Sequence, residues 1–405
     1  MKHAELIHRI DEKACLDFLA SMVRHKSYSQ TEGERKLAVY MDDAMRRIGL
    51  ESVLMPVEAD RVEAIGTWRG QGGGKRLLFN GHLDTNPATE GWTVDPWGGL
   101  VDDKFIYGIG VSNMKAGDAA YFCAVKTLID AGVKLKGDVV LTYVVGELQG
   151  GVGTLAAIRQ GVRADYFINS EPTDLQALTM HAAAFTFIIE LTGVTRHLSK
   201  REEAVDAVAA ACDLVPRLNA MTFSGARSPE HLSINRCHVG VVHGALGKDL
   251  EEWRPPQVGD FARIKGSARY APGQNEAGVL ADMRQVLDEL ERRFPGLKAT
   301  LIPEHQLGRP MMPPFEVARD SRIVRTINAA YEWVRGHKQP TGAIRPPGFY
   351  GTDASHFLDK LGMEGIVCGP GGRYNTMPDE RVDVPDYLDM IRIYLLAILD
   401  ICEPL

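Results

Sequence analysis

The chain has 405 residues, with 46 lysines and arginines against 53 aspartates and glutamates, and a formal net charge of −7. At 45% hydrophobic and 24% charged residues it has the composition of an ordinary soluble globular protein, which excludes disordered, collagenous and coiled-coil chains. A mildly acidic chain also argues against a nucleic-acid partner held mainly by charge, and no apolar run approaches the roughly eighteen residues of a membrane span.

Residues 5–24 and 34–49 read as amphipathic helices, the second capped by Thr31. The first has no apolar core of a secretory signal, and the six cysteines are scattered without a C-x-x-C pair, so a cytoplasmic protein with reduced thiols is expected. RLLFN (76–80) reads as a strand, and QGGGK (71–75) before it as a hairpin tip. A helix over 116–131, a strand over 137–146, a helix over 151–160 and a strand over 164–170 continue an α/β alternation. After about residue 182 the pattern changes. Strand 184–193, helix 201–218, strand-like 231–244 and 260–271, helix 275–293 and strand 297–304 give a β-α-β-β-α-β order, which fits a small α+β sandwich. Proline-rich GRPMMPPF (308–315) then leads back to helix 320–335, strand 364–368 and helix 385–401. The simplest architecture is a split α/β domain (1–182 and 308–405) with a smaller domain inserted over 183–307.

The chemistry-bearing residues fall in ordered motifs. GHLDT (81–85) places His82 and Asp84 two apart at the end of an apolar strand, on one face and at the crevice where α/β sheets bind ligands. GVSNMKAG holds Ser112 and Asn113, GELQGG holds Glu147 and Leu148, and SEPT holds Glu171. GTDASHF (351–357) and GPGGRYNTMPDERV (369–382) follow near the C-terminus. Glu147, between Gly146 and Leu148, is placed for acid/base work if its surroundings desolvate it. His82 beside Asp84 can form a carboxylate–imidazole pair without any metal. Ser112 has no local base to make it a nucleophile. No G-x-S-x-G elbow, phosphate-binding loop or dinucleotide fingerprint is present.

The order and spacing of these motifs resemble the M20 family of metallo-aminoacylases and peptidases, closest to its acetylornithine deacetylase and succinyl-diaminopimelate desuccinylase branch, over essentially the whole chain. The resemblance implies an α/β, phosphorylase/hydrolase-like zinc-peptidase catalytic domain with an inserted α+β (ferredoxin-like) lid and dimerisation domain. It also implies a homodimer formed through that insert, and two zinc ions. Carried over by residue, the match is partial. His82, Asp84 and Glu171 are present, and Glu147 takes the general-base position. Asn113 stands where the bridging aspartate belongs, Leu148 where a glutamate ligand belongs, and Thr376, beside Asn375, where the last histidine ligand belongs. Two zinc ions need several carboxylates to balance four positive charges, so a two-zinc centre is not expected. The expectation is no cofactor, or at most one divalent metal such as zinc on His82 and Glu171.

The resemblance further makes His197, in GVTRHLS, an oxyanion stabiliser reaching across the dimer; in a metal-free site Asn113 is read as a second donor to the oxyanion. Arg269 and Arg345 are candidates for binding a substrate carboxylate, and His356, Asn375 and Thr376 for lining its pocket. The expected function is hydrolysis of an amide-type C–N bond in a small carboxylate-bearing molecule. A one-metal hydrolase, a metal-free lyase or proton-transfer enzyme, and a non-catalytic binding protein remain the alternatives.

Overall fold

The computed structural model describes residues 3–58, 60–252, 256–308 and 310–405. They form two compact units. The larger runs to Met180 and resumes over Phe315–Pro347 and Thr352–Leu405; the smaller comprises His181–Pro314 and Gly348–Gly351. These boundaries lie a few residues from those drawn on the sequence, and a short piece of the C-terminal stretch groups with the smaller unit.

The N-terminal helix is broken in two. After a single turn at His3–Ile7, Asp11 accepts from the Ala14 N–H and starts α1 (Glu12–Val23). Thr31 caps α2 (Glu32–Arg47) by accepting from the Gly33 N–H. Residues 51–68, which carry no clear sequence signal, form an antiparallel hairpin of β1 (Glu51–Glu58) and β2 (Arg61–Trp68). Next come β3 (Leu77–His82), α3 (Ala116–Asp130), β4 (Val139–Val144), α4 (Val152–Arg159), β5 (Tyr166–Asn169) and β6 (Ala177–Leu178). Every residue of β3 and β4 is buried, which is why both read as continuous apolar runs and not as alternating ones. The hairpin expected at QGGGK is not formed: β2 and β3 lie on opposite sides of β4, so residues 71–75 belong to a crossover.

The smaller unit contains β7 (Ala183–Thr192), α5 (Ala207–Asn219), β8 (Arg236–Ala245), β9 (Phe261–Tyr270), α6 (Glu276–Arg293) and β10 (Lys298–Pro303). The strands form an antiparallel sheet of order β8-β9-β7-β10. Phe187, Ile189, Leu214, Ile264, Met283 and Leu287 belong to its core. The helix expected over 201–218 starts only at Ala207, because Asp206 caps it there and Leu198–Glu203 forms a separate 3-10 turn. The start of the strand expected over 231–244 is likewise a short helix, Pro229–Leu232, capped by Ser228.

The larger unit resumes with α7 (Arg322–Arg335), β11 (Thr341–Gly342), α8 (Ala354–Leu361), β12 (Glu364–Val367) and α9 (Val384–Cys402). Its sheet has the order β1-β2-β4-β3-β5-β12-β6-β11, with β3, β4 and β5 parallel at the centre. Helix α9 packs on α3 and α7 and is buried nearly all round, from Tyr387 to Cys402. Among the described residues no helix is long and apolar enough to cross a membrane.

Candidate active site

The central parallel strands end together, and the residues just beyond them meet in one buried polar cluster. His82, the last residue of β3, is 1% exposed. Its Nε2 lies 3.3 Å from Asn113 Oδ1, 3.5 Å from Glu171 Oε1 and 4.0 Å from Glu147 Oε2. One donor atom from each of His82, Glu147 and Glu171 falls within 4.8 Å of the others. Gly81 has to be glycine, since a Cβ there would sit 1.8 Å from an oxygen of Asp118. Asp118 therefore lies against the strand one residue before His82, where its charge is felt by the ring, and its Oδ1 accepts from Tyr121 Oη at 3.0 Å.

Asp84 meets His82 through both its main chain and its carboxylate. His82 Nδ1–H donates to the backbone carbonyl of Asp84 at 2.9 Å, while the Asp84 carboxylate lies 3.6 Å away. That carboxylate also accepts from the N–H groups of Gly146 (2.8 Å), Glu147 (3.2 Å) and Leu148 (3.2 Å) and from Ser29 Oγ (3.1 Å). Asp84 thus fixes the loop that carries Glu147, and the ring through its main chain. Three residues of this loop, Gly146, Gly150 and Gly151, take positive φ between 77° and 84°, which glycine adopts without a Cβ penalty. Further support comes from Gln149, which donates to Ser29 Oγ at 2.5 Å and accepts from Arg61 Nη2 at 3.1 Å. Arg61 in turn forms a bidentate pair with buried Glu34, at 2.8 and 2.9 Å.

Asn113 is held from behind by Glu380, whose Oε1 accepts from the N–H groups of Ser112 (2.9 Å) and Asn113 (3.1 Å). The Ser112 hydroxyl donates to Asn375 Oδ1 and accepts from the Gly372 N–H at 2.9 Å. Ser112 and Asn375 therefore tie the 369–382 segment to the Asn113 turn, a structural task, where Asn375 was expected to touch substrate. His356 is 2% exposed and its Nε2 bonds the Gly150 carbonyl at 2.9 Å, so it holds the far end of the Glu147 loop. Thr376 is exposed at the mouth of a cavity beside Asn113, and Arg345 is exposed on the larger unit.

The two site residues of the smaller unit are placed as follows. His197 is exposed and accepts from the Ser199 N–H through Nδ1 at 3.2 Å, opening a 3-10 turn. Arg269 donates to the Phe349 carbonyl at 3.0 Å and to Ser267 Oγ at 2.6 Å.

Charge is concentrated in the cluster. Burial opposes a proton on His82, but the carboxylates of Glu171, Asp84, Glu147 and Asp118 outweigh it and raise the imidazole to about 10. Burial pushes Glu147 well above the usual carboxylate range, against the pull of His82, and raises Glu171 as well. Two acids that the sequence reading passed over belong here. Asp353 is fully buried and is raised by that burial to about 7. Glu380 is also raised to about 7 by burial, which outweighs its backbone hydrogen bonds. Both stood in quoted motifs, GTDASHF and MPDERV, and an acid preceding a helix or closing a glycine-rich turn was the available signal.

A pair of zinc ions, which the family resemblance implies, does not fit these donors. His82, Glu147 and Glu171 form the one group of metal-binding character among the described residues. Asn113 adds a neutral amide, Leu148 has no donor atom in its side chain, and exposed Thr376 offers a hydroxyl. Four positive charges would meet two carboxylates, with no carboxylate at the bridging position. Three converging donors do fit a single divalent ion.

Comparison with known proteins places this site in a family. The chain is 23% identical over 355 residues to the N-formyl-4-amino-5-aminomethyl-2-methylpyrimidine deformylase of Bacillus subtilis, covering 81% of this chain and 79% of that protein. It is 25% identical over 353 residues to the acetylornithine deacetylase of Photorhabdus laumondii, covering 84% and 83%. The fold of human carnosine dipeptidase 1 superposes with a TM-score of 0.78 at 15% identity, over 99% of this chain and 100% of that one. The family model described as Peptidase family M20/M25/M40 matches residues 78–400, and the chain belongs to that family.

Proposed function

We propose that this protein hydrolyses an amide-type C–N bond in a small carboxylate-bearing substrate, with Glu147 as acid and base and without a pair of zinc ions. The observation that carries the reading is the buried cluster of His82, Glu147 and Glu171, bordered by Asn113 and Leu148 where further metal donors are needed. Glu147 takes a proton from water, whose oxygen bonds to the carbonyl carbon. The oxyanion that develops is met by the positive imidazole of His82 and by the Asn113 amide. Asn113 turns its carbonyl oxygen to His82 Nε2, which leaves its Nδ2 donors for the substrate. Glu147 then returns the proton to the leaving nitrogen as the C–N bond breaks. Burial of Glu147 supports this use, because it raises the carboxyl and so makes the carboxylate a readier proton acceptor than an exposed one. Arg345 is the larger unit's candidate for the substrate carboxylate. A homodimer, with His197 as a further oxyanion donor, completes the proposal.

The relatives' names denote removal of formyl, acetyl and succinyl groups, so N-formyl, N-acetyl and N-succinyl amines head the substrate panel, the succinyl group carrying a carboxylate on the acyl side. On a turned-over member, Glu147→Gln is expected to lower kcat by about 10²–10⁴-fold. An unchanged kcat contradicts the assignment. If no member is turned over yet one binds equally to both forms, the protein is a binder.

A second reading is favoured by the same three converging donors: one divalent ion on His82, Glu171 and Glu147. Such an ion supplies Lewis-acid polarisation of the carbonyl, and Glu147 as a ligand is then no longer the free base. Turnover that survives chelation supports the first reading; turnover lost on chelation and regained with one equivalent of metal supports the second.

A further inference from the structure

We infer that the cavity beside Asn113, walled by Trp92, Ile109, Met377 and Glu380, is the subsite for the amine side of the substrate, and that it takes an uncharged or cationic nitrogen-containing group, preferably a planar ring. The inference rests on the C–N hydrolysis proposed above and adds which half of the substrate lies where.

The cavity measures about 270 Å³ and lies within the larger unit. At roughly 30 Å³ for each liquid water, that is space for about nine waters or a group of similar bulk. Its wall includes Asn113, whose amide oxygen is 3.3 Å from His82 Nε2. A group seated there therefore adjoins the atoms that would act on the C–N bond. Hydrolysis joins the water oxygen to the carbonyl carbon, breaks the C–N bond and sends the proton through Glu147 to nitrogen. The products are a carboxylate and an amine, and the walls discriminate between them.

Glu380 is the one ionisable side chain in the lining, which contains no lysine, arginine or histidine. A carboxylate placed here would meet a buried acid and no cation in the wall itself, and an amine would not. Pro87, Trp92, Ile109 and Met377 supply apolar wall, and an aromatic face beside a thioether favours a flat, polarisable guest. The Trp92 indole N–H is buried without a partner. The substrate carboxylate, on this assignment, belongs on the acyl side.

Calorimetric titration of the whole protein with product-sized probes tests this without requiring turnover. 4-Aminopyrimidine and benzylamine are expected to bind at least tenfold more tightly than benzoate. Met377→Trp, which fills the cavity from an exposed position, is expected to weaken both amines at least tenfold. Trp92→Leu, which replaces the aromatic wall by an aliphatic one, is expected to weaken both amines. Benzoate binding as tightly as the amines, no binding of either amine, or indifference of the amines to Met377→Trp each overturns the inference. Amine binding that follows these variants in a protein inactive on every amide tested supports the subsite and sinks the hydrolase reading alone.

Discussion

Asp84 shows how a residue found from sequence can carry a second task that its spacing does not announce. The G-H-x-D spacing puts it next to His82, but spacing does not say whether a main-chain or a side-chain oxygen meets the ring. Here the carbonyl takes the imidazole N–H and the carboxylate takes three loop amides. His82, Asn113, Glu147 and Glu171 were legible because each stands in an anchored motif. Glu63 was not, since it lies in an unremarked strand. It is fully buried on β2 and neither of its oxygens has a hydrogen-bond partner. Burial raises its carboxyl well above the usual range. The folded protein then keeps a proton that the unfolded chain loses above about pH 4.3, so this residue costs stability increasingly as pH rises from there. Glu63→Gln removes that cost. Its melting temperature is expected to gain on the parent as pH rises from about 4.3, read by calorimetry; a gap that is constant or narrows above that pH contradicts the burial argument.

At the scale of elements, the Glu147 loop is positioned by contacts distant in sequence, and no local pattern announces them. Ser29, Gln149, Arg61 and Glu34 link α2, the β1–β2 hairpin and the loop into one hydrogen-bonded line. The hairpin itself was missed because burial along the edge strand β1 alternates poorly, leaving no period-two signal. The QGGGK misreading has a related cause: glycines mark a turn without saying whether the two flanking strands pair with each other. Gln149→Leu breaks the line next to Glu147 while leaving the Arg61–Glu34 pair. It is expected to lower kcat roughly tenfold, the scale of a misplaced catalytic group, with KM little changed. Equal loss in KM, or no loss in kcat, contradicts a positioning role. Arg61→Met leaves Glu34 buried and unpaired, and is expected to cost about 3–5 kcal/mol in denaturant unfolding; a cost under about 1 kcal/mol contradicts it.

For the whole molecule, the fold was the most legible part. Buried parallel strands, amphipathic helices and the β-α-β-β-α-β insert each have their own periodicity, and a family match across residues 78–400 agrees with them. The net charge of −7 was a poorer guide. It records many carboxylates without showing that the cleft has an amide at Asn113 and a hydrocarbon at Leu148. The central claim is that these substitutions leave no place for two metal ions. Its most direct test is elemental analysis of the purified protein after equilibration with excess zinc and removal of the unbound ion. At most one equivalent of zinc per chain is expected, and two tightly held equivalents would contradict it.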